Sequence, residues 1–208
     1  MVKRRSYTGV ERQRSVEAGR ERILRAAREL LADEDGETFS IDAVARRAGV
    51  ARMTIYNQFE SKAGLLEALF DTLAAQGPLG QIAGVFKEQD PLVTLDAYVA
   101  IFGRFWTLHR STHRRLRAAA AHDAELAAAM NARNARRRIG ITEILRRLGD
   151  RARPVVARAE IVDVIHVMLS FETFNELAGE DRTPDDIVPV MRRLVRAVLG
   201  IPVRPSGG

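Results

Sequence analysis

The sequence predicts an all-α protein, and two observations carry this prediction. Apolar residues recur three and four positions apart along most of the 208 residues, which is the spacing of one helical face. Glycine and proline interrupt the pattern at 77–80, 149–154, 179–184 and 200–202, where helices are expected to stop and start. No segment shows the convincing alternation of apolar and polar residues that indicates a half-buried strand.

The two ends of the chain differ from the rest. Residues 1–16 are polar and basic and have no apolar periodicity, which predicts a flexible basic arm. A helical pattern begins at about Val16 and ends before Gly36, a plausible stop signal. Residues 203–208 are predicted to form a disordered tail.

Two short helices are predicted next, separated by a glycine. Ser40 stands at the N-cap position of the first, where its side chain can accept a hydrogen bond from a first-turn amide, and Gly49 ends it. The second runs from about Arg52 to Asn57. Ser61 then caps a longer helix that reaches the Gly77 region.

The remaining pattern is also helical. Asp90 and Pro91 occupy the N-cap and first-turn positions of a helix, and a single long apolar helix is predicted from Pro154 to about Leu177. The other predicted segments are Asp90 to His109, a basic alanine-rich stretch from Arg114 to Ala129, a helix to Leu148, and a last helix from Pro184 to Leu199.

Composition narrows the class of protein. The chain has no cysteine, which excludes disulfides and thiolate metal sites, and no apolar stretch approaches the roughly 20 residues of a membrane span. We therefore expect a cytoplasmic protein that spans no membrane. The net charge is +6, and only Lys3, Lys62 and Lys87 of the 33 basic residues are lysines. Arginine is suited to phosphate and guanine, although a GC-rich genome also enriches it.

The two short helices carry the chemistry of a helix-turn-helix that reads DNA. Such a motif needs a short second helix that exposes small or polar side chains near its N-terminal end. Arg52 can donate a bidentate pair of hydrogen bonds to a guanine, and Asn57 can pair with adenine or bind a phosphate. The candidate contacts on this helix and at the start of the next one are Ala51, Arg52, Met53, Thr54, Tyr56, Asn57 and Lys62. By periodicity alone, a generic helical pair in an all-α core remains an alternative.

The segment FSIDAVARRAGVARMTIYNQFESKAGLLEALF, from Phe39 to Phe70, resembles the TetR/AcrR family of bacterial transcriptional regulators. The matching features are Ser40 at a helix start, the turn of residues 48–50, residues 54–56, and the Ser61–Lys62 pair. The specific resemblance covers about residues 20–72. Two departures are Ala51, where the family often has a capping serine, and residues 63–64, where a charged residue is frequent.

The resemblance implies an architecture and a function. It implies a three-helix helix-turn-helix DNA-binding domain over residues 17–62 and a larger helical ligand-binding and dimerisation domain over 63–202. It places Ser40, the exposed face of residues 51–57 and Lys62 at DNA. The implied function is that of a homodimeric repressor, released from a palindromic double-stranded operator by a small-molecule effector of unknown identity and needing no cofactor. In that scheme the effector moves the helix of residues 61–76.

A ligand chamber needs apolar walls and a few polar groups that orient the ligand. His166 and Glu172 are polar residues within an apolar run and therefore need partners, which can be each other, a ligand or a subunit interface. The candidate lining residues, for which plain core packing is the alternative, are Phe70, Leu73, Phe102, Phe105, Trp106, His109, Ile165, His166, Met168, Phe171 and Glu172.

The segment 110–153 is strongly basic and includes Arg114, Arg117, Arg133 and Arg137. An anionic effector is one interpretation of this charge. A solvated helix face is the favoured one.

The last two predicted helices are apolar on more than one side, which favours a twofold four-helix interface between two copies of the chain. Burial within one subunit is the alternative. The residues on these faces are Val164, Val167, Leu169, Phe174, Ile187, Val188, Met191, Leu194, Val195, Val198 and Leu199.

Two other functions compete with that of a DNA-binding regulator. An enzyme is not favoured, because no nucleophile elbow, phosphate loop or dinucleotide fingerprint is present. His109 and His113 have helical metal-ligand spacing, but there is no glutamate between them and arginines surround them, so no metal site is expected. A helical ligand-binding or interaction protein without operator binding is the remaining alternative.

Overall fold

A computed structural model describes residues 4–33 and 37–202 and confirms the all-α class, since the described residues form helices and no strand. The helices are α1 (Arg4–Ala32), α2 (Ile41–Ala48), α3 (Arg52–Phe59), α4 (Lys62–Gln76), α5 (Ile82–Val85), α6 (Pro91–Leu108), α7 (Arg110–Ala120), α8 (Ala124–Leu148), α9 (Ile161–Met168), α10 (Phe171–Ala178) and α11 (Pro184–Val198), with 3₁₀ turns at Pro78–Gln81 and Gly149–Arg151. No helix of the described chain is long and apolar enough to cross a membrane.

The first helix begins earlier than the sequence predicts. Helix α1 starts at Arg4, so residues 4–16, predicted as a flexible arm, are helical. The described side chains of this stretch are exposed, and a helix that packs on nothing has no apolar face to reveal it. Arginine, glutamate and glutamine nevertheless favour helix intrinsically. Lys3, Gly36 and the predicted tail at 203–208 lie outside the described residues.

The chain divides into two compact units. The first contains residues up to Thr72 together with Ser111–Ala129, and the second contains Leu73–Arg110 and the chain from Met130 onward. The predicted domain boundary follows residue 62, whereas the first turns of α4 and most of α7 group with the N-terminal helices. Helices α4 and α8 contribute residues to both units.

The core of the first unit is built by the apolar faces of α1 to α4. Its side chains are all at most 5% exposed, and they are Ile23, Ala26, Ala27, Leu30, Leu31, Ala43, Val44, Ala45, Ala48, Ile55, Phe59, Leu65, Leu66 and Leu69. Helix α7 adds Leu116, and Arg115 donates to the main-chain carbonyls of Asp33 and Glu37. This side chain therefore ties α7 to the segment that connects α1 with α2.

In the second unit, the predicted long helix from Pro154 to Leu177 is wrong. Residues 154–160 are not helical, and the remainder is broken between α9 and α10 at Leu169 and Ser170. The Ser170 side chain caps α10 by accepting from the Thr173 amide at 3.2 Å. The Trp106 indole N–H donates to the Leu169 carbonyl at 3.0 Å and so satisfies an acceptor that the break has released.

The corner between α3 and α4 is too close for a side chain at position 64. A Cβ on Gly64 would lie 2.0 Å from the carbonyl oxygen of Phe59. The Gly64 amide donates to the Ser61 hydroxyl at 2.9 Å, which caps α4 as the sequence predicts. Gly64, a departure from the family pattern, is thus a packing requirement of this corner.

Replacing Gly64 with alanine should destabilise the protein by at least about 2 kcal/mol, because the added methyl collides with main-chain atoms that cannot rotate away. Urea unfolding followed by circular dichroism measures the loss. Gly84→Ala is the matched control, since a Cβ there meets nothing within 4 Å. A Gly64→Ala protein as stable as the Gly84→Ala protein would contradict the close approach.

Candidate functional site

The helix-turn-helix is formed by α2 and α3, and local interactions define its ends. Ser40 caps α2 by accepting from the Ala43 amide at 3.1 Å, as predicted. Gly49 ends α2 in the left-handed conformation, with φ of 63°, which favours glycine. Ala51 occupies the N-cap of α3 and provides no side-chain hydrogen bond, so this helix begins without the cap that a serine would supply.

Helix α3 is held against the first unit along one side. Ile55 is fully buried and Phe59 is 5% exposed. The Arg20 guanidinium of α1 stacks 4.3 Å from the Phe59 ring centroid and donates to the Gln58 carbonyl at 3.1 Å. These contacts fix the rotation of α3 and leave its other face toward solvent.

That other face carries the residues predicted to contact DNA. Ala51, Arg52, Met53 and Asn57 are exposed, and the Met53 side chain is 64% exposed. Thr54 and Tyr56 are half-buried at the margin, as is Ser40 at the start of α2. The structure therefore brings the predicted reading residues onto one accessible surface.

The Arg52 side chain is exposed, but two neighbouring side chains interact with its guanidinium. Its guanidinium donates to the Tyr56 side chain and pairs with the Asp42 carboxylate of α2 at 3.1 Å, and these contacts raise its pKa further above the ordinary range. Asp42 and Tyr56 hold the guanidinium beside the start of α3. An arginine restrained in this way loses less conformational freedom on binding than a free one.

Lys62, the remaining predicted contact, already has a partner. Its ammonium donates to the Asp123 carboxylate at 2.6 Å, and the two side chains are 17% and 27% exposed. The neighbouring Ala63 amide donates to the Glu125 carboxylate at 2.9 Å. Two acidic residues at the start of α8 thus occupy the Lys62 charge, which is predicted to lie at DNA, and the amide that follows it.

Sequence reasoning missed Asp123 and Glu125. Asp123 has a local role as the cap of α8, because its side chain accepts from the Leu126 amide at 3.0 Å. An aspartate just before a helix is a typical N-cap, so this role could be predicted from the sequence. The pairing with Lys62 spans 61 residues, and no local pattern reveals it.

The Lys62–Asp123 pair should make stability depend on pH. The hydrogen bond from Lys62 and that from the Leu126 amide lower the pKa of Asp123. A carboxylate with a lowered pKa stabilises the fold above the ordinary aspartate pKa of about 4, and loses this contribution as the pH falls through its folded pKa.

Asp123→Asn should lower the free energy of unfolding at pH 7 by about 1 kcal/mol, since asparagine keeps the helix cap but loses the charge. The difference from the unchanged protein should shrink as the pH falls through the lowered pKa of Asp123. Urea unfolding across this range measures it, with the exposed Asp181→Asn as the control. A difference that stays constant down to pH 2 would rule out the ionic contribution.

The predicted ligand-lining residues of the second unit include a connected row of aromatic rings. Trp106 lies 5.9 Å from Phe102, 5.0 Å from Phe105 and 5.8 Å from Phe171, measured between ring centroids. His109 packs edge-on against Phe105, with 4.9 Å between the centroids. All five rings are at most 6% exposed.

The other predicted lining residues differ in burial and position. Leu73 and Ile165 are buried, His166 and Met168 are half-buried, and Glu172 is exposed. Phe70 belongs to the first unit, where its ring contacts His113 at 5.8 Å.

Arg137 lies among these rings, although sequence reasoning assigned it to a solvated basic face. It is 5% exposed, and its guanidinium carbon lies 5.7 Å from the Phe102 centroid and 5.6 Å from that of Trp106. The favoured interpretation of segment 110–153 as a solvated face is therefore wrong at this position. A signal was present, because 137 continues the helical spacing of the buried residues Ile141, Ile144 and Leu148.

Arg137 and His166 shape the electrostatics of this cluster. The Arg137 Nη2 lies 3.4 Å from the His166 Nε2. Burial lowers the pKa of Arg137 to about 10, and burial together with the charge of Arg137 lowers the pKa of His166 to about 4. His166 is therefore neutral and Arg137 charged at neutral pH. Among the described residues, no group of three His, Asp or Glu side chains is placed to hold a metal ion.

The packing of α1 behind the pair α2–α3, with an exposed face on α3, defines the class as a helix-turn-helix protein. Residues 23–69 match the sequence model described as bacterial regulatory proteins, tetR family. This region of the chain therefore resembles the TetR family.

Known proteins agree with this assignment over different lengths. The HTH-type transcriptional regulator AlkX of Mycobacterium tuberculosis is 44% identical over 48 residues, which span 23% of this chain and 23% of that relative. The chain thus matches about a quarter of the length of this curated relative.

Two solved structures share the fold over most of the chain. NalD of Pseudomonas aeruginosa, the secondary repressor of the MexAB-OprM multidrug efflux pump, superposes with a TM-score of 0.65 at 22% identity, covering 93% of this chain and 100% of that one. A TetR transcription regulator from Haloarcula marismortui gives 0.64 at 14% identity, covering 88% and 97%. At these identities the similarity establishes the fold.

Proposed function

We propose that this chain is a dimeric cytoplasmic repressor that reads a palindromic operator with α3, is released by a small-molecule effector, and has no enzymatic activity. The observation that carries the proposal is the exposed polar face of α3. That face lies within residues 23–69, which match the TetR family model.

The proposed reading head follows from the geometry of α3. Its N-terminal half would enter the major groove, where Arg52 can donate to guanine and Asn57 to adenine or a phosphate. Thr54 and Tyr56 carry hydroxyls at the margin of this face, which suits phosphate contacts. Met53, with its exposed apolar side chain, suits contact with a thymine methyl group.

The proposed dimer uses the surface that remains apolar after the second unit has folded. Ile187, Met191 and Val195, expected at the interface, are buried within the chain, as are Leu169 and Phe174. Leu194 of α11 is 43% exposed and Val167 of α9 is 61% exposed. We assign the interface to these exposed residues. The proposed interface therefore contains fewer residues than the apolar face predicted from the sequence.

The proposed coupling uses α4, whose residues belong to both units. Helix α4 is continuous from Lys62 to Gln76, so its two ends move together. An effector that shifts the C-terminal turn of α4 would therefore also shift its first turn. The effector can shift operator affinity only by its difference in affinity for the two states.

Arg52→Gln should weaken specific DNA binding by roughly 5- to 150-fold, the value of one bidentate base contact. The unchanged protein first selects its duplex from a random library, and fluorescence anisotropy then measures affinity at low and moderate salt. Arg193→Gln is the control, because it removes the same charge from an exposed position on α11. Equal affinities for the two variants at both salt concentrations would refute α3 as the reading head.

Leu194→Glu should convert the dimer into a monomer, since it buries an unpaired charge in the proposed interface. Light scattering coupled to size-exclusion chromatography gives the mass directly. Val155→Glu places the same charge at a 72% exposed position outside the helices and should leave the dimer intact. A dimeric Leu194→Glu protein would show that the interface lies elsewhere.

A further inference from the structure

The second unit buries a positive charge that makes no ion pair with a described residue. Arg137 is 5% exposed and, within the described part of the chain, forms no ion pair. Its Nη2 donates to His166, and its Nε, which is also buried, has no hydrogen-bond partner. Buried arginine is ordinarily paired with a carboxylate, because removing a charge from water is otherwise strongly unfavourable.

A second donor without a hydrogen-bond partner, on His166, lies beside the Nε of Arg137. A guanidinium can only donate, so the Nε2 of His166 must accept from Arg137. The neutral imidazole then carries its proton on Nδ1. This Nδ1 is buried and has no partner either. The cluster therefore presents two buried N–H groups, one charged and one neutral, and no acceptor for them.

The surroundings of these donors are apolar and aromatic on one side. Phe102 and Trp106 face the guanidinium, and Phe171 packs edge-on against Trp106. Glu172 is exposed, and its charge favours the protonated forms of both Arg137 and His166. His166, which contacts the guanidinium, is itself only half-buried.

We propose that Arg137 and His166 form the polar end of a binding site for an organic carboxylate whose apolar body lies against Trp106 and Phe102. This assignment deepens the proposed function, on which it rests for the role of the ligand as effector. Binding of the carboxylate itself does not depend on DNA.

The chemistry favours a carboxylate over other ligands. A carboxylate only accepts, it has two oxygens, and its charge pairs with that of the guanidinium, so it matches two donors that lack acceptors. A primary amide of the same shape has an N–H₂ group, which is itself a donor and would find no acceptor on Arg137 or His166. It also has no negative charge to pair with Arg137. An ammonium ligand would be repelled.

Trp106 provides the readout, because it is the only tryptophan of the 208 residues and its ring faces Arg137. The probes are octanoate and phenylacetate, each compared with its primary amide, titrated into the full-length protein without DNA. We expect a saturable change in tryptophan fluorescence with at least one carboxylate and binding of the matched amide weaker by about tenfold or more.

Arg137→Gln should weaken carboxylate binding by about tenfold or more, as expected for the loss of a charge-assisted hydrogen bond. The control is Arg138→Gln, which removes the same charge from the adjacent residue, a half-exposed arginine paired with Asp163. Its charge acts on Arg137 and His166 from a position outside the cluster, so its removal should weaken carboxylate binding much less than Arg137→Gln does. Glu172→Gln, which removes an opposing negative charge, should bind at least as tightly.

Three results would overturn the proposal: no saturable change with either carboxylate, amides that bind as tightly as carboxylates, or Arg137→Gln binding like Arg138→Gln. If Arg137→Gln fails to fold by circular dichroism, the comparison of acid with amide on the unchanged protein decides the question. Operator binding is measured separately. A protein that binds DNA but no carboxylate refutes this site alone, and one that binds carboxylate but no DNA refutes the repressor function alone.

Discussion

Two buried side chains, Ile55 and Phe59, attach α3 to its unit, and the exposed surface of the helix depends on them. A helix of eight residues is not stable alone in water, so this packing supplies the stability that its length does not. Arg20 closes the same contact by stacking on Phe59 and donating to the end of the helix. Because packing fixes one side of α3, its opposite side can consist of exposed polar and small residues.

The start of α4 shows that a residue's type does not fix its partner. Lys62 has the charge to hold a phosphate, but it donates to Asp123 in a half-buried pair, and Glu125 accepts from the adjacent amide. A phosphate that uses this lysine must share it with Asp123 or displace that carboxylate. Any affinity that Lys62 contributes to DNA is therefore reduced by the pair it leaves, and the loop before α8 influences the surface that we propose to face DNA.

The sequence predicts those parts of the fold that local chemistry determines. Ser40, Gly49 and Ser61 act within four residues of themselves, so the caps and the turn of the helix-turn-helix could be predicted. The break between α9 and α10 could not, because the apolar run continues across it and the compensating donor comes from Trp106, 63 residues away. Likewise Gly64 looks unfavourable for a helix until the nearby Phe59 carbonyl is known.

Arg137 is buried, although the high basic charge of the segment around it is typical of a solvated helix face. The basic segment around it was interpreted as one solvated face, yet position 137 lies on the helical stripe that buries Ile141 and Leu148. An arginine on such a stripe must be satisfied from within the protein, from solvent or from a ligand. The fold supplies two aromatic faces and a neutral His166, which accepts one hydrogen bond, but it supplies no anion in ion-pair contact among the described residues. The electrostatic balance of this core is therefore incomplete in the chain alone, and a bound carboxylate would complete it.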